Sequence, residues 1–233
     1  MATVGGHTLT AFDEDIGQLR ALISQMGGLA ENAIYESMRC LTHRDYEAAL
    51  QVVADDKKID LLETEAEGRI VQLIALRAPM ADDLREAVAA LKIVSIVERI
   101  GDYAKNIAKR VPVLEGGGQI ESMSLLTEMG RIAAEMVHDV LDAYVERDAE
   151  KARGVCDRDR AVDDFYDSIF RALLTFMMED PAEISRSAHL LFVAKNIERI
   201  GDHATNIAEM VYFAATGERL IDRPRGSDAI EAE

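Results

Sequence analysis

Basic residues are scarce in this chain of 233 residues, which carries 26 Lys and Arg against 43 Asp and Glu, a formal net charge of −17. Bulk electrostatics therefore disfavour binding to nucleic acid or to an anionic membrane surface, both of them negative, and favour cations and basic protein patches. Cysteine is nearly absent. Cys40 and Cys156 have no CxxC spacing and do not occupy matching repeat positions, so they read as reduced core thiols and point to the cytoplasm. The first dozen residues hold no basic start followed by an apolar run, and no stretch approaches eighteen uninterrupted apolar residues. Neither export by a usual signal nor a membrane span is expected. No glycine-rich phosphate loop or nucleophile elbow occurs. With only four prolines, and with Leu, Ala, Ile, Val, Met, Glu and Arg dominating, the chain reads as all-α, with enough apolar residues for one sizeable core or two modest ones.

What is present is a repeat. Glu98 to Ala108 (ERIGDYAKNIA) and Glu198 to Ala208 (ERIGDHATNIA) agree at nine of eleven positions. On a helix, Ile93, Val97, Ile100, Ala104, Ile107, Ala108 and Val111 form one core-facing stripe, and Ile197, Ile200, Ala204, Ile207 and Val211 repeat it. Glu98, Asp102 and Asn106 gather on the opposite side, as do Glu198, Asp202 and Asn206. Oxygen-bearing side chains at i, i+4 and i+8 drift by about 40° per step, so three line one shallow groove that suits a hard cation. A solvated face is the plain alternative, but like charges at i, i+4 cost roughly 0.2–0.5 kcal/mol unless a counter-charge arrives. Arg99 and Lys105 lie near enough to supply part of it. Gly101 and Gly201, in mid-helix, predict close approach of a neighbouring helix.

The rest of the chain is duplicated too. Met26 and Gly27 answer to Met129 and Gly130, Arg44 and Asp45 to Arg147 and Asp148, Asp56 to Asp159 and Asp60 to Asp163, each 103 residues apart; the offset falls to 100 by Glu98 and Glu198. Three helices per half predict two tandem three-helix bundles. The expected divisions are a flexible start (1–12), a first bundle (13–114), a linker (115–119), a second bundle (120–216) and a flexible tail (217–233). Within the first half the helices are expected over about Asp13 to Thr42, Tyr46 to Arg77 and Asp83 to Val111, with Asp82 or Asp83 as N-cap of the third. The Gly27 and Gly28 pair predicts a bend or a close crossing.

On the second helix, Asp56, Asp60, Glu63 and Glu67 form a stripe roughly 70° from the core direction at Ile59. If it meets the Glu98 and Asp102 groove, four or more carboxylates converge, a donor set for Mg, Ca, Mn or Fe rather than Zn. The second half supplies Asp159 and Asp163, but Tyr166 replaces Glu63, so weaker binding or another geometry is expected there. A ferritin-like di-metal oxygenase needs two Glu-x-x-His motifs, and only Glu135 to His138 is present. His7, His189 and His203 read as surface or core-edge residues, and Met177 and Met178 as core packing.

The doubled ERIGD-x-A-x-N-I-A, the Met-Gly in the first helix of each half, and the segments Pro79 to Arg85 and Met177 to Pro181 together resemble the PhoU family, over residues 10–218. The resemblance implies a cytoplasmic negative regulator of the phosphate-starvation response and of phosphate uptake. It implies an adaptor, peripheral to the membrane through its partners, that links the phosphate ABC transporter, through its ATPase PstB, to the PhoR sensor kinase. It also implies a homodimer, and bound Fe or another metal held through E(D)-x-x-x-D motifs. Carried over by motif, the metal residues are Asp56 with Asp60 and Glu98 with Asp102, then Asp159 with Asp163 and Glu198 with Asp202; Asn106 and Asn206 are added on helix geometry alone. Catalytic residues are not expected. A metal-dependent hydrolase or oxidase working in the same grooves is the alternative.

Overall fold

The computed structural model describes the backbone of residues 4–114 and 122–220, with side chains from residue 12 onward. The described residues form α1 (Val4–His43), α2 (Tyr46–Asp55), α3 (Lys57–Arg77), α4 (Asp82–Ala108), α5 (Met123–Glu146), α6 (Ala149–Glu179) and α7 (Ile184–Thr216), with short 3₁₀ turns at Pro112–Leu114 and Pro181–Glu183. No strand occurs among them. The expected linker at 115–119, the tail beyond residue 220 and the side chain of His7 lie outside the described residues.

Local signals explain most helix ends. Arg44 and Arg147 take the same left-handed conformation (φ 55° and 57°) at equivalent places in the two halves. The following aspartates cap the next helices: Asp45 accepts from the Ala48 amide, and Asp148 accepts from the Glu150 and Lys151 amides. Ala78, in the left-handed region, ends α3 just before Pro79. Gly217 ends α7 the same way at φ 78°.

Three expectations need correction here. Helix α1 starts at Val4, not Asp13, so weak periodicity did not stop the backbone from winding. The second helix of the first half is interrupted at Asp56, whereas its counterpart α6 is continuous. The third helix opens from Ala81, at φ 50° and ψ −111°, and neither Asp82 nor Asp83 caps it; Asp82 instead lies inside the first turn, paired with Arg85.

The two duplicated helical bundles pack against one another. Helices α1, α4, α7 and α5 form a closed ring of neighbours, with α2 and α3 lying over α1 and α4, and α6 over α5 and α7. One hydrophobic core runs through both halves. Met26 and Met129, the repeated pair, are both fully buried, each contributing on the order of 1.5–3 kcal/mol. The glycines beside them let α1 and α5 cross closely. A Cβ on Gly27 would stand 2.2 Å from Leu141 Cδ1, and one on Gly130 would stand 2.9 Å from Met38 Cγ. Met38 and Leu141 are themselves 103 residues apart, so the contact is reciprocal under a pseudo-twofold relation, with α1 and α5 antiparallel. Glu86, 5% exposed, ties the halves again: it takes Arg20 from α1 and Arg147, 3.2 Å away, from the end of α5.

Met178 does not pack in the core. It is 79% exposed, with Phe176 and Leu174 also exposed, because Leu173 is the last buried residue of α6. Cys40 is buried and Cys156 half-buried, and neither is in a disulfide among the described residues. Among the described residues, no helix is long and apolar enough to cross a membrane.

Candidate functional site

The acidic grooves sit where the second and third helices of each half pack together. Gly101 makes this possible in the first half: a Cβ there would stand 2.7 Å from Ile59 Cδ1 and 3.7 Å from Asp56 Oδ1. In the second half a Cβ on Gly201 would meet Asp159 Oδ1 and Val162 Cγ1, both at 3.4 Å. The two motif glycines therefore bring the acid-bearing helix turns together, the close approach their mid-helix position predicted.

In the first half Asp56 is buried, Glu98, Asp102 and Glu63 are half-buried, and Asp60 is exposed. Burial, followed by the charges of Asp102, Glu63, Asp60 and Asp56, raises the Glu98 pKa to about 7. The stripe from α2 and α3 thus does face the groove of α4. Lys105 stands among these acids. Its ammonium donates to Asp56 Oδ2 at 2.6 Å and to Asp102 Oδ1, bridging the α2–α3 break to α4. Burial opposes charge on Lys105, yet hydrogen bonds to Asp102 and Asp56 hold its pKa above the usual lysine range. Burial also raises Asp56, and Lys105 offsets this only in part, since the aspartate is the more deeply buried partner. Glu67 is exposed.

The second groove has the same frame with different contents. Asp159 is buried, and Asp163, Glu198 and Asp202 are half-buried. Thr205 occupies the position of Lys105 and turns its hydroxyl back to the Asp202 carbonyl at 2.7 Å. Lys195 donates to Glu198 Oε1 at 2.6 Å and lies over the Tyr166 ring, 5.2 Å from its centroid. Glu198 Oε2 is buried without a hydrogen-bond partner. Burial foremost, and the Asp202 charge, raise the Glu198 pKa against the pull of Lys195.

Asn106 and Asn206 sit half-buried one turn further along. Among the described residues, no group of three or more His, Cys, Asp or Glu side chains converges in an arrangement that holds a metal ion. Glu135 is bound to Arg131, and His138 to Glu31 of α1, 3.1 Å away, so this Glu-x-x-His pair points to no metal partner. His189 lies 3.4 Å from the Arg110 guanidinium.

Sequence reasoning missed one contact between the motif copies. Tyr103 and His203, at the same position of the repeat, meet edge to face with ring centroids 5.2 Å apart, placing the pseudo-twofold at the α4–α7 crossing. Both His203 nitrogens are buried without a partner. Burial, with Arg99 and Arg199 nearby, lowers its pKa to about 4, so the ring is neutral near pH 7. The available signal was that this is one of the two positions at which the eleven-residue copies differ.

The PhoU domain family matches residues 23–111 and 126–211. The phosphate-specific transport system accessory protein PhoU homolog of Zymomonas mobilis is 56% identical over 228 residues, covering 98% of this chain and 96% of that protein. Two crystal structures are similar: PhoU from Pseudomonas aeruginosa, with a TM-score of 0.86 at 36% identity over 89% of this chain and 100% of that one, and the phosphate transport system regulatory protein PhoU from Streptococcus pneumoniae, with a TM-score of 0.84 at 27% identity over 91% and 99%.

Proposed function

This chain belongs to the PhoU family, and from that premise we propose that it is the accessory regulator of a phosphate transport system, restraining phosphate uptake and the starvation response when phosphate is plentiful. In this reading it is a cytoplasmic adaptor between the transporter ATPase PstB and the PhoR sensor kinase. The observation that carries the reading is the likeness, over 98% of the chain, to a protein named for phosphate-specific transport. A net charge of −17 supports it, since an acidic surface recognises basic partner patches and speeds their encounter. The alternative of a metal-dependent hydrolase or oxidase has no observation in its favour.

The grooves supply the charge that such docking would read. Their donors are carboxylates, which suit Fe, Mn, Mg or Ca. What supports a cation in the second groove is Glu198, which keeps one buried oxygen without a partner while the other accepts from Lys195. Asp159, Asp163, Glu198 and Asp202 would hold the ion, with Asn206 at the far end. A bound ion would neutralise the groove and draw α6 toward α7, changing the shape and charge of the docking face. The working form is proposed to be a homodimer, which light scattering should report as twice the chain mass.

The test is direct binding. Purified chain is mixed in turn with the purified transporter ATPase and with the cytoplasmic part of the sensor kinase. Co-elution with at least one is expected, weakening as salt rises past the Debye regime of about 0.1 M. Absence of complex with both at low salt would overturn the adaptor reading.

A further inference from the structure

The two halves carry the same motif but differ in what neutralises it. In the first half, a cation already sits among the acids, and it is part of the chain. Lys105 reaches from α4 across to Asp56 at the α2–α3 break and also engages Asp102 of its own helix, so both carboxylates that a metal would have to share are committed to one ammonium. Asp56 is only 7% exposed and Lys105 21%, which makes this pair far less open to solvent competition than the exposed Arg and Lys pairs elsewhere on the helices. The matching residue in the second half, Thr205, carries no charge and is tied to its own backbone, and the ammonium there comes instead from Lys195, which is bound to Glu198 of the same helix. The first-half residues therefore do not fit a metal as they stand. The sequence suggested the reverse, because Tyr166 in place of Glu63 looked like the weakening change.

We propose that Lys105 is a tethered counter-cation that closes the first groove to metal. The first groove then serves as a fixed clamp: the ammonium pins the α2–α3 break against α4. The closure of the groove rests on the metal reading given above; the clamp does not.

Two measurements on the full-length protein separate these parts. The first follows Mn(II) binding by loss of the free-ion electron paramagnetic resonance signal. Asp102→Asn is expected to leave the Mn(II) binding of the full-length protein unchanged. Loss of Mn(II) binding with Asp102→Asn alone would overturn the proposal, because the first groove would then bind with its lysine in place.

The second is made without metal, in EDTA, and holds even if no variant binds Mn(II), a result that would count against the metal reading only. Lys105→Met keeps most of the length of the side chain and removes its charge, leaving Asp56 buried without its cation. A downward shift of several degrees in Tm is expected, with most of it recovered when Asp56→Asn is added. Equal melting of the wild type and Lys105→Met, or no recovery in the double variant, would overturn the clamp.

Discussion

Gly27 and Gly28 are adjacent in α1, yet replacement by alanine should move stability in opposite directions. Either substitution removes the cost of a mid-helix glycine, a gain of about 1 kcal/mol. At Gly28, nothing lies within 4 Å of the new Cβ, so the gain should be kept. At Gly27 the Cβ would stand 2.2 Å from Leu141 Cδ1 and 3.2 Å from its Cγ, so a terminal rotation alone does not relieve the contact. Leu141 is itself buried, and overpacking of this kind costs about 1–3 kcal/mol. The net expectation is a loss of about 0–2 kcal/mol at Gly27 against a gain of about 1 at Gly28. For a chain of this length the gap corresponds to roughly 2–12 °C in Tm. Thermal melts followed by circular dichroism measure it. Adding Leu141→Ala should remove the penalty of Gly27→Ala, a coupling that a double-mutant cycle reports. Gly130→Ala should cost less than Gly27→Ala, since its nearest neighbour is the flexible Met38 side chain. Equal Tm values for Gly27→Ala and Gly28→Ala would refute the close crossing of α1 and α5.

Two further perturbations probe the same junction. The hydrogen bond from His138 to Glu31 raises the histidine pKa, with burial opposing it and the charges of Glu31, Asp142 and Asp139 adding to it. A raised folded-state value means that its stabilisation is complete below the unfolded pKa of about 6.5 and is lost as pH rises through the folded value. His138→Gln should therefore lower Tm at pH 5.5 and leave it unchanged at pH 8.5; the effect is small because the side chain is 55% exposed, and an equal gap at both pH values would exclude it. Glu86→Gln should cost about 1–3 kcal/mol by weakening the charged hydrogen bonds to Arg20 and Arg147. Arg147→Ala should cost less, because Arg147 is half exposed, and denaturant melts will rank the two.

Much of the fold was legible because helical period and duplication are local properties. The stripe from Ile93 to Val111 is buried throughout, and Ile197, Ile200, Ala204, Ile207 and Val211 repeat it. Period tells which side of a helix is apolar, but not which helix will cover it. The ring of α1, α4, α7 and α5 was therefore hidden, even though the paired glycines and the 103-residue offset between Met38 and Leu141 are in the sequence. The break at Asp56 was invisible for another reason: the residue keeps helical angles (φ −51°, ψ −35°), and no glycine or proline marks the place. In the site, the acids and their grooves could be found from i, i+4 spacing. The seat of Lys105 could not, because its reach to Asp56 depends on how closely Gly101 lets α4 approach Ile59. Met178 misled because helical pattern continues past the point where α6 has a neighbour.

The central claim, that this chain restrains a phosphate response, is tested most directly in cells. A reporter driven by a phosphate-regulated promoter is measured in phosphate-rich medium in the parent strain, in a strain lacking this gene, and in the deletion strain with the gene restored. The account predicts a silent reporter in the first and third strains and an active one in the second. A reporter that stays silent in the deletion strain would contradict it.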